Sequence, residues 1–274
     1  MIEKLIYRNH MNEEISFGQG GIFVNSNDLH DYAWNYTSKN DRISAFKTGI
    51  VKKAIPVVIM CKSEEEGIKI RNKLFEIAEK DVLTMQYGHI IIGDYHLKCY
   101  VTGSKKSKYL VNKMYMVTSL TVVTDRPSWI KETTTTFGYG QGSEGTNLDF
   151  NNDFPMDYTS NLLGKSLNNT GFIPSEFIMK IYGPCENPSV TIAGHEYQVN
   201  VSIESNEYLT IDSIEKTIVL TNKDGTKQNC FNLRNRESYI FEKIPSGLSG
   251  VSTSSGHFKF DVTLLEERSE PKWT

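Results

Sequence analysis

The chain has 274 residues, 38% of them hydrophobic and 23% charged, the balance of a folded soluble protein with room for one large or two ordinary cores. Its formal net charge of −3 and pI near 6.1 disfavour a protein that wraps nucleic acid, which needs a basic surface. No window approaches the roughly 18 apolar residues of a membrane span, so membrane insertion is not expected.

The charge is uneven: residues 1–130 are net basic and the remainder net acidic, a difference that can assist docking between copies or with a neighbour. Cys61, Cys99, Cys185 and Cys230 are scattered and form no Cys-x-x-Cys pair, so they read as reduced, small core residues. Met1-Ile-Glu-Lys-Leu-Ile has no apolar stretch after its charges and does not read as a secretory signal. The acceptor-like triplets at Asn35, Asn168 and Asn200 are therefore coincidental.

Lys4–Arg8 and Ile15–Val24 read as strands, the second broken by Gly18-Gln-Gly-Gly21. That run lacks the Lys-Ser/Thr and helix of a phosphate loop, and a bulge or loop crossing explains it better. Tyr32, Trp34 and Tyr36 are spaced by two. An aromatic row of this kind packs a core or a subunit contact more often than it stacks sugars or bases. Ala54–Cys61 is a further strand. Glu64–Lys80 is the clearest helix: Ser63 and Glu66 form a capping box, Ile70, Leu74, Ile77 and Ala78 make one apolar stripe, and Glu64-Glu-Glu66 suits the positive end of the dipole. Val82–Tyr87, Ile90–Ile92, Tyr95–Thr102 and Tyr109–Thr124 come next as strands, with turns at Gly93-Asp94 and Gly103-Ser104 and with Lys105, Lys106 and Lys108 at a tip.

The N-terminal domain, 1–130, ends at Arg126-Pro-Ser-Trp129. Residues 131–170, rich in Thr, Gly and Asn, read as an extended connector in which Phe154, Pro155 and Tyr158 pin the segment onto the C-terminal domain. That domain, 171–274, carries strands at Phe177–Tyr182, Val190–Ile192, Tyr197–Ile203 and His257–Leu265. Between these lies a meander: Tyr208-Leu-Thr-Ile-Asp212 with Ile211 inward, Lys216–Thr221 turning at Asp224-Gly225 into Thr226–Leu233, then Tyr239–Ile244 stopped by Pro245 and Gly247. Sequential strands with frequent turns indicate a β-sandwich.

A search for chemistry finds no catalytic, cofactor or metal set. His195 and His257 lie in no paired-ligand pattern, there is no Gly-x-Ser-x-Gly elbow, Gly138, Gly140 and Gly142 precede no helix, and Asp212 has no partner carboxylate in sequence.

The order of these pieces resembles the siphophage distal tail protein (Dit) family. The resemblance is carried by the Tyr208-Leu-Thr-Ile-Asp212 strand, the Asp224-Gly225 turn, the Pro245/Gly247 turn, Phe154-Pro-Met-Asp-Tyr158, Asn187-Pro-Ser-Val-Thr-Ile192 and the ending from Arg268 to Trp273. Over 1–130 it rests on layout. Two departures, Ser246 and Ser249, stand where the family often has Pro and Asn. The resemblance implies a mainly β protein with a tail-tube-like N-terminal barrel or sandwich and a galectin-like C-terminal sandwich. It implies a homohexameric ring without enzymatic activity, in the virion tail and assembled in the host cytoplasm. Its implied partners are further copies of itself, the tail tube protein, a tail-tip protein and a receptor-binding protein, with DNA passing through the lumen without sequence-specific contact. A carbohydrate-binding module is the alternative.

Overall fold

The computed structural model describes residues 4–24, 26–109, 113–139, 162–163, 166–253 and 258–273. Two compact units divide them, Met1–Lys131 with Glu267–Thr274, and Glu132–Glu266. The chain leaves the first unit within one strand and returns within its last. The division differs from the domain limits expected from composition: the final eight residues group with the first unit, and the second begins at Glu132.

In the first unit, alternating apolar residues put one face of each strand inward. β1 (Leu5–Arg8) and β2 (Glu14–Phe17) bury Leu5, Tyr7, Ile15 and Phe17. They are followed by β3 (Ile22–Val24), β4 (Asn35–Lys39), β5 (Arg42–Lys47) and β6 (Val51–Met60). After α1 (Glu64–Thr84) come β7 (Gly88–Ile92), β8 (Tyr95–Tyr109) and β9 (Tyr115–Thr124). Antiparallel pairing runs β2-β1-β7-β8 and β8-β9-β6-β3, so β8 is shared. Its first part, Tyr95–Cys99, pairs with β7, and the part from Tyr100 to Tyr109 pairs with β9. Leu74, Ile77 and Ala78 of α1 share one core with Tyr7, Ile55, Ile90, Leu97 and Leu120.

The α1 cap arises from its sequence. Ser63, extended at φ −140°, accepts the Glu66 amide at 3.2 Å, and Glu66 reaches back to accept the Lys62 amide at 3.0 Å. Gly67 permits close approach to the β8–β9 connection: a Cβ there would stand 2.1 Å from the Lys113 carbonyl oxygen. The helix continues four residues past Lys80, which corrects the strand expected over Val82–Tyr87. Asp81 is fully buried and bonded, Leu83 points to solvent, and the stop comes at Met85 in the left-handed region, φ 54°. Gly103-Ser104 is likewise no turn. β8 absorbs it as a register shift between Val101 and Gly103, so Lys105, Lys106 and Lys108 lie along a strand and not at a tip.

The second unit stacks two antiparallel sheets. β10 (Trp129–Tyr139), which pairs with β11 (Leu162–Leu163), runs through residues 131–139 of the expected connector, and Phe137 is fully buried. The second unit's strands continue as β12 (Ser166–Asn169), β13 (Glu176–Tyr182), β14 (Cys185–Glu186), β15 (Ser189–Ile192), β16 (His195–Gln198), β17 (Ser202–Ile203), β18 (Tyr208–Asp212), β19 (Thr217–Thr221) and β20 (Lys227–Asn229). β21 (Gly247–Thr253) and β22 (Lys259–Arg268) complete the order. One layer runs β10-β22-β13-β18-β19-β20 and the other β12-β21-β15-β16. Phe177, Met179, Leu209, Ile211 and Val262 of the first share a core with Leu167, Val190, Tyr197 and Val251 of the second. The fold is mainly β, as the strand periodicities predict.

Three expectations fail here. The strand expected over Tyr197–Ile203 is broken, β16 ending at Gln198 and β17 starting at Ser202. Thr226–Leu233 is a strand only to Asn229, then a 3₁₀ turn at Phe231–Leu233. Tyr239–Ile244 makes only an isolated bridge, Ser175 to Ile244. Ile240, Phe241 and Ile244 bury as a folded loop while Tyr239 stays exposed, and Tyr197 Oη donates to the Glu242 carbonyl at 2.9 Å.

Two substitutions test the helix assignment. Ser63→Ala removes the cap and is expected to cost about 0.5–2 kcal/mol, whereas Leu74→Asp puts an unpaired charge in the core and is expected to abolish folding. An unchanged melting temperature for Leu74→Asp would contradict the packing described.

Candidate functional site

Among the described residues, three polar clusters bring titratable or nucleophilic groups together. Ser238 Oγ lies 3.2 Å from His195 Nε2, the spacing of a nucleophile and its base. That nitrogen also faces the Tyr239 carbonyl at 2.9 Å, and an N–H is the partner a carbonyl oxygen requires. Nε2 therefore carries the proton and cannot accept one from the hydroxyl, which donates to the Glu196 carbonyl at 2.5 Å. Glu176, buried at the start of β13, accepts from Ser213 Oγ at 2.6 Å and pairs with Lys243 at 3.0 Å. The same hydroxyl accepts the Phe177 amide at 2.7 Å. Burial pushes the Glu176 pKa up, but the Ser213 hydroxyl and Lys243 ammonium outweigh it and hold the carboxyl below its ordinary value. In the first unit, fully buried Asp81 accepts from Tyr7 Oη at 2.5 Å and from the His10 amide at 3.0 Å, with His10 Nδ1 at 2.5 Å. Burial first, and then this bond to Asp81, raise the Tyr7 pKa far above that of a free phenol, so Tyr7 stays a donor. These arrangements fix β1, α1 and β13. Among the described residues no group of His, Cys, Asp or Glu is placed to hold a metal ion, and the four cysteines are free.

The described residues among those singled out by sequence lie in turns, strands and ring contacts. Asp212 Oδ1 accepts the amides of Ile214 and Glu215 at 2.8 and 3.0 Å, the geometry of a turn. Gly225 and Gly247 have φ of 83° and 93°, where a side chain would be strained. Ile211 is fully buried. Tyr208 faces Tyr182 across β13 and β18. Their rings are tilted by 50° and each lies under a lysine, Lys180 and Lys259 respectively, so they form no flat exposed platform for a sugar ring. The Pro245 carbonyl accepts from Asn169 Nδ2 at 3.2 Å. Trp273 stacks on His30. Phe154, Pro155 and Tyr158 lie outside the described residues, as does His257.

The feature that stands out is the β4–β5 hairpin. Asn40 and Asp41, with φ of 53° and 57°, form its two-residue turn, the left-handed pair that matches strand twist. Register places Tyr36 opposite Phe46 and Ser38 opposite Ile43, with the extra residue taken up between Thr37 and Ser38. Tyr36, Phe46 and Ile43 therefore share one face, and Asn35, Thr37, Lys39, Arg42 and Lys47 the other. That apolar face is open: Tyr36, Phe46 and Ile43 are 66%, 60% and 59% exposed. None of the hairpin belongs to either core. Of the row Tyr32, Trp34 and Tyr36, read from sequence as one face of a strand, only Tyr36 lies in β4, which begins at Asn35. The second strand, with Ile43 and Phe46, is not among the elements expected from sequence, although the Asn40-Asp41 pair is a usable turn signal.

No protein-family model matches the sequence, and no curated protein matches it. Solved structures do match. The chain superposes on a protein of the phage P2 baseplate in its activated conformation with Ca, with a TM-score of 0.64 and 12% identity, covering 99% of this chain and 100% of that one. The same baseplate with Sr gives equal values. The Dit protein of phage SPP1, described as a paradigm of the hub adsorption apparatus in phages infecting Gram-positive bacteria, aligns with a TM-score of 0.56 and 8% identity over 98% and 100% of the two chains. The fold is Dit-like. A Dit-like fold agrees with the resemblance carried by the motifs between Phe154 and Trp273 and by the layout of residues 1–130.

The Glu176 cluster has a signed pH dependence. Because its folded pKa is depressed, its contribution is present above the ordinary carboxylate value, about 4.3, and is lost as pH falls through the lower folded value. Glu176→Gln is therefore expected to lower the denaturation midpoint at pH 7 and to approach the parent protein in acid. Equal gaps at both pH values would contradict an ionised Glu176.

Proposed function

We propose that the chain is a structural component of the tail tip of a siphophage or prophage, with no enzymatic role. Six copies form a ring hub that joins the tail tube to the tip or host-adhesion apparatus, and DNA passes through the lumen. End-to-end correspondence with a baseplate protein and with a hub protein carries this reading. The partners are other copies of the chain, a tail tube protein, a tail-tip protein and a receptor-binding protein.

The hairpin supports a ring because its open apolar face needs a cover. A two-stranded pair alone is marginal in water, and an exposed apolar face on a folded protein marks an interaction site. Repetition of one contact between a hairpin and a different face of the next copy is a heterologous interface, which closes into a ring when the rotation permits.

The test is the mass in solution and the negative-stain image of the full chain, alone and with tail tube and tip proteins. Rings are expected, and Phe46→Asp is expected to leave the melting temperature unchanged while preventing them. A chain that stays monomeric and joins neither neighbour would overturn the proposal.

A further inference from the structure

We propose that the C-terminal segment Ser269–Trp273 is a strap that sets the direction of the β4–β5 hairpin. The inference rests on the reading of that hairpin as the docking element.

A hairpin with no core of its own takes its direction from its roots, here residues 28–34 and 48–51. The first root is pinned from one side by Lys53, whose ammonium is buried and donates to the carbonyls of Asp28 at 2.8 Å, Leu29 at 3.3 Å and Asp31. Asp28 Oδ2 in turn accepts the Ala54 amide at 3.1 Å, and Leu29 is fully buried. These bonds tie the root to β6.

The C-terminal segment holds the same root through different atoms. The Trp273 ring stacks on His30 at 4.0 Å between centroids and 21° between planes. Trp34 Nε1 donates to Ser269 Oγ at 3.2 Å. Just upstream, Glu267 pairs with Arg126, which anchors the start of the segment. Trp34 on the first root, Thr48 on the second, Lys53, Pro127 and Ser269 line one small cavity of about 20 Å³. Both roots and the segment therefore meet at one place.

The strap adds little to the core. Trp273 is 70% exposed and belongs to neither buried cluster. Its ring does not fill the interior; it restricts the chain that leads to Tyr36. Closure of a ring demands one fixed angle between copies, and ordering a mobile docking element at the moment of contact weakens binding. A hairpin held beforehand avoids that loss.

The experiment uses Trp273→Ala and a chain ending at Arg268, each compared with the parent protein and with Trp273→Phe. Amide exchange is read on dilute monomer and ring yield at high concentration. In both disrupting variants, exchange over residues 28–51 is expected to quicken about two- to tenfold, with β1, β7 and α1 unchanged. Ring yield is expected to fall, and Trp273→Phe is expected to restore both. Unchanged exchange over 28–51 would overturn the strap, and so would faster exchange with full ring yield. If the parent protein forms no ring even with its neighbours, the docking reading fails by itself, and the proposal that rests on it falls too, whatever the exchange rates show.

Discussion

A strand gains stability by burying one face, and most strands among the described residues do so against strands or helix of their own unit. β1, β2 and β7 hide alternate residues with α1, and β13, β18 and β22 hide theirs across the second sandwich. The β4–β5 hairpin breaks the rule, with Tyr36, Ile43 and Phe46 turned to solvent. Area removed from water at roughly 25 cal/mol per Å² is the main source of stability for such side chains, and the proposed association rests on this uncovered apolar face.

The buried polar groups show the same economy. Asp81, Glu176 and Lys53 each hold two or more partners at 2.5–3.3 Å, and those partners are structural neighbours. Asp81 joins α1 to β1 and the turn after it, Glu176 joins β13 to the Ser213 turn, and Lys53 joins β6 to the hairpin root. A catalytic base needs an unsatisfied lone pair aimed at a cleft. His195 Nε2, the nearest approach to one, faces a carbonyl oxygen. Asp81, Glu176 and Lys53 position structural elements.

How much of the structure is legible depends on what each residue pattern encodes. The Ser63–Glu66 capping box and the Leu74/Ile77/Ala78 stripe specify a helix locally, and the structure contains it. Its far end is not legible: Val82, Leu83 and Thr84 have strand-like composition, but Asp81 is held by Tyr7 and His10 across 74 and 71 residues of sequence, and that tertiary tie keeps the turn helical. Gly103-Ser104 has turn composition, yet a long strand absorbs it as a bulge. Thr133–Thr136 looks like a connector because a run of threonines lacks apolar residues, while Thr134 and Thr136 bond Thr263 and Asp261 of β22. The β5 strand, Ile43 and Phe46 included, escapes a sequence reading because its apolar residues are few and its neighbours charged. In the first three cases a partner distant in sequence decides, and local sequence does not contain it.

The central claim is that the open face of the hairpin is covered by another copy. Placing a photoreactive benzoylphenylalanine at position 46 and irradiating the assembled protein tests it most directly. A ladder of covalently joined copies reaching the hexamer is expected. Cross-links confined to single chains, under conditions where rings are present, would contradict it.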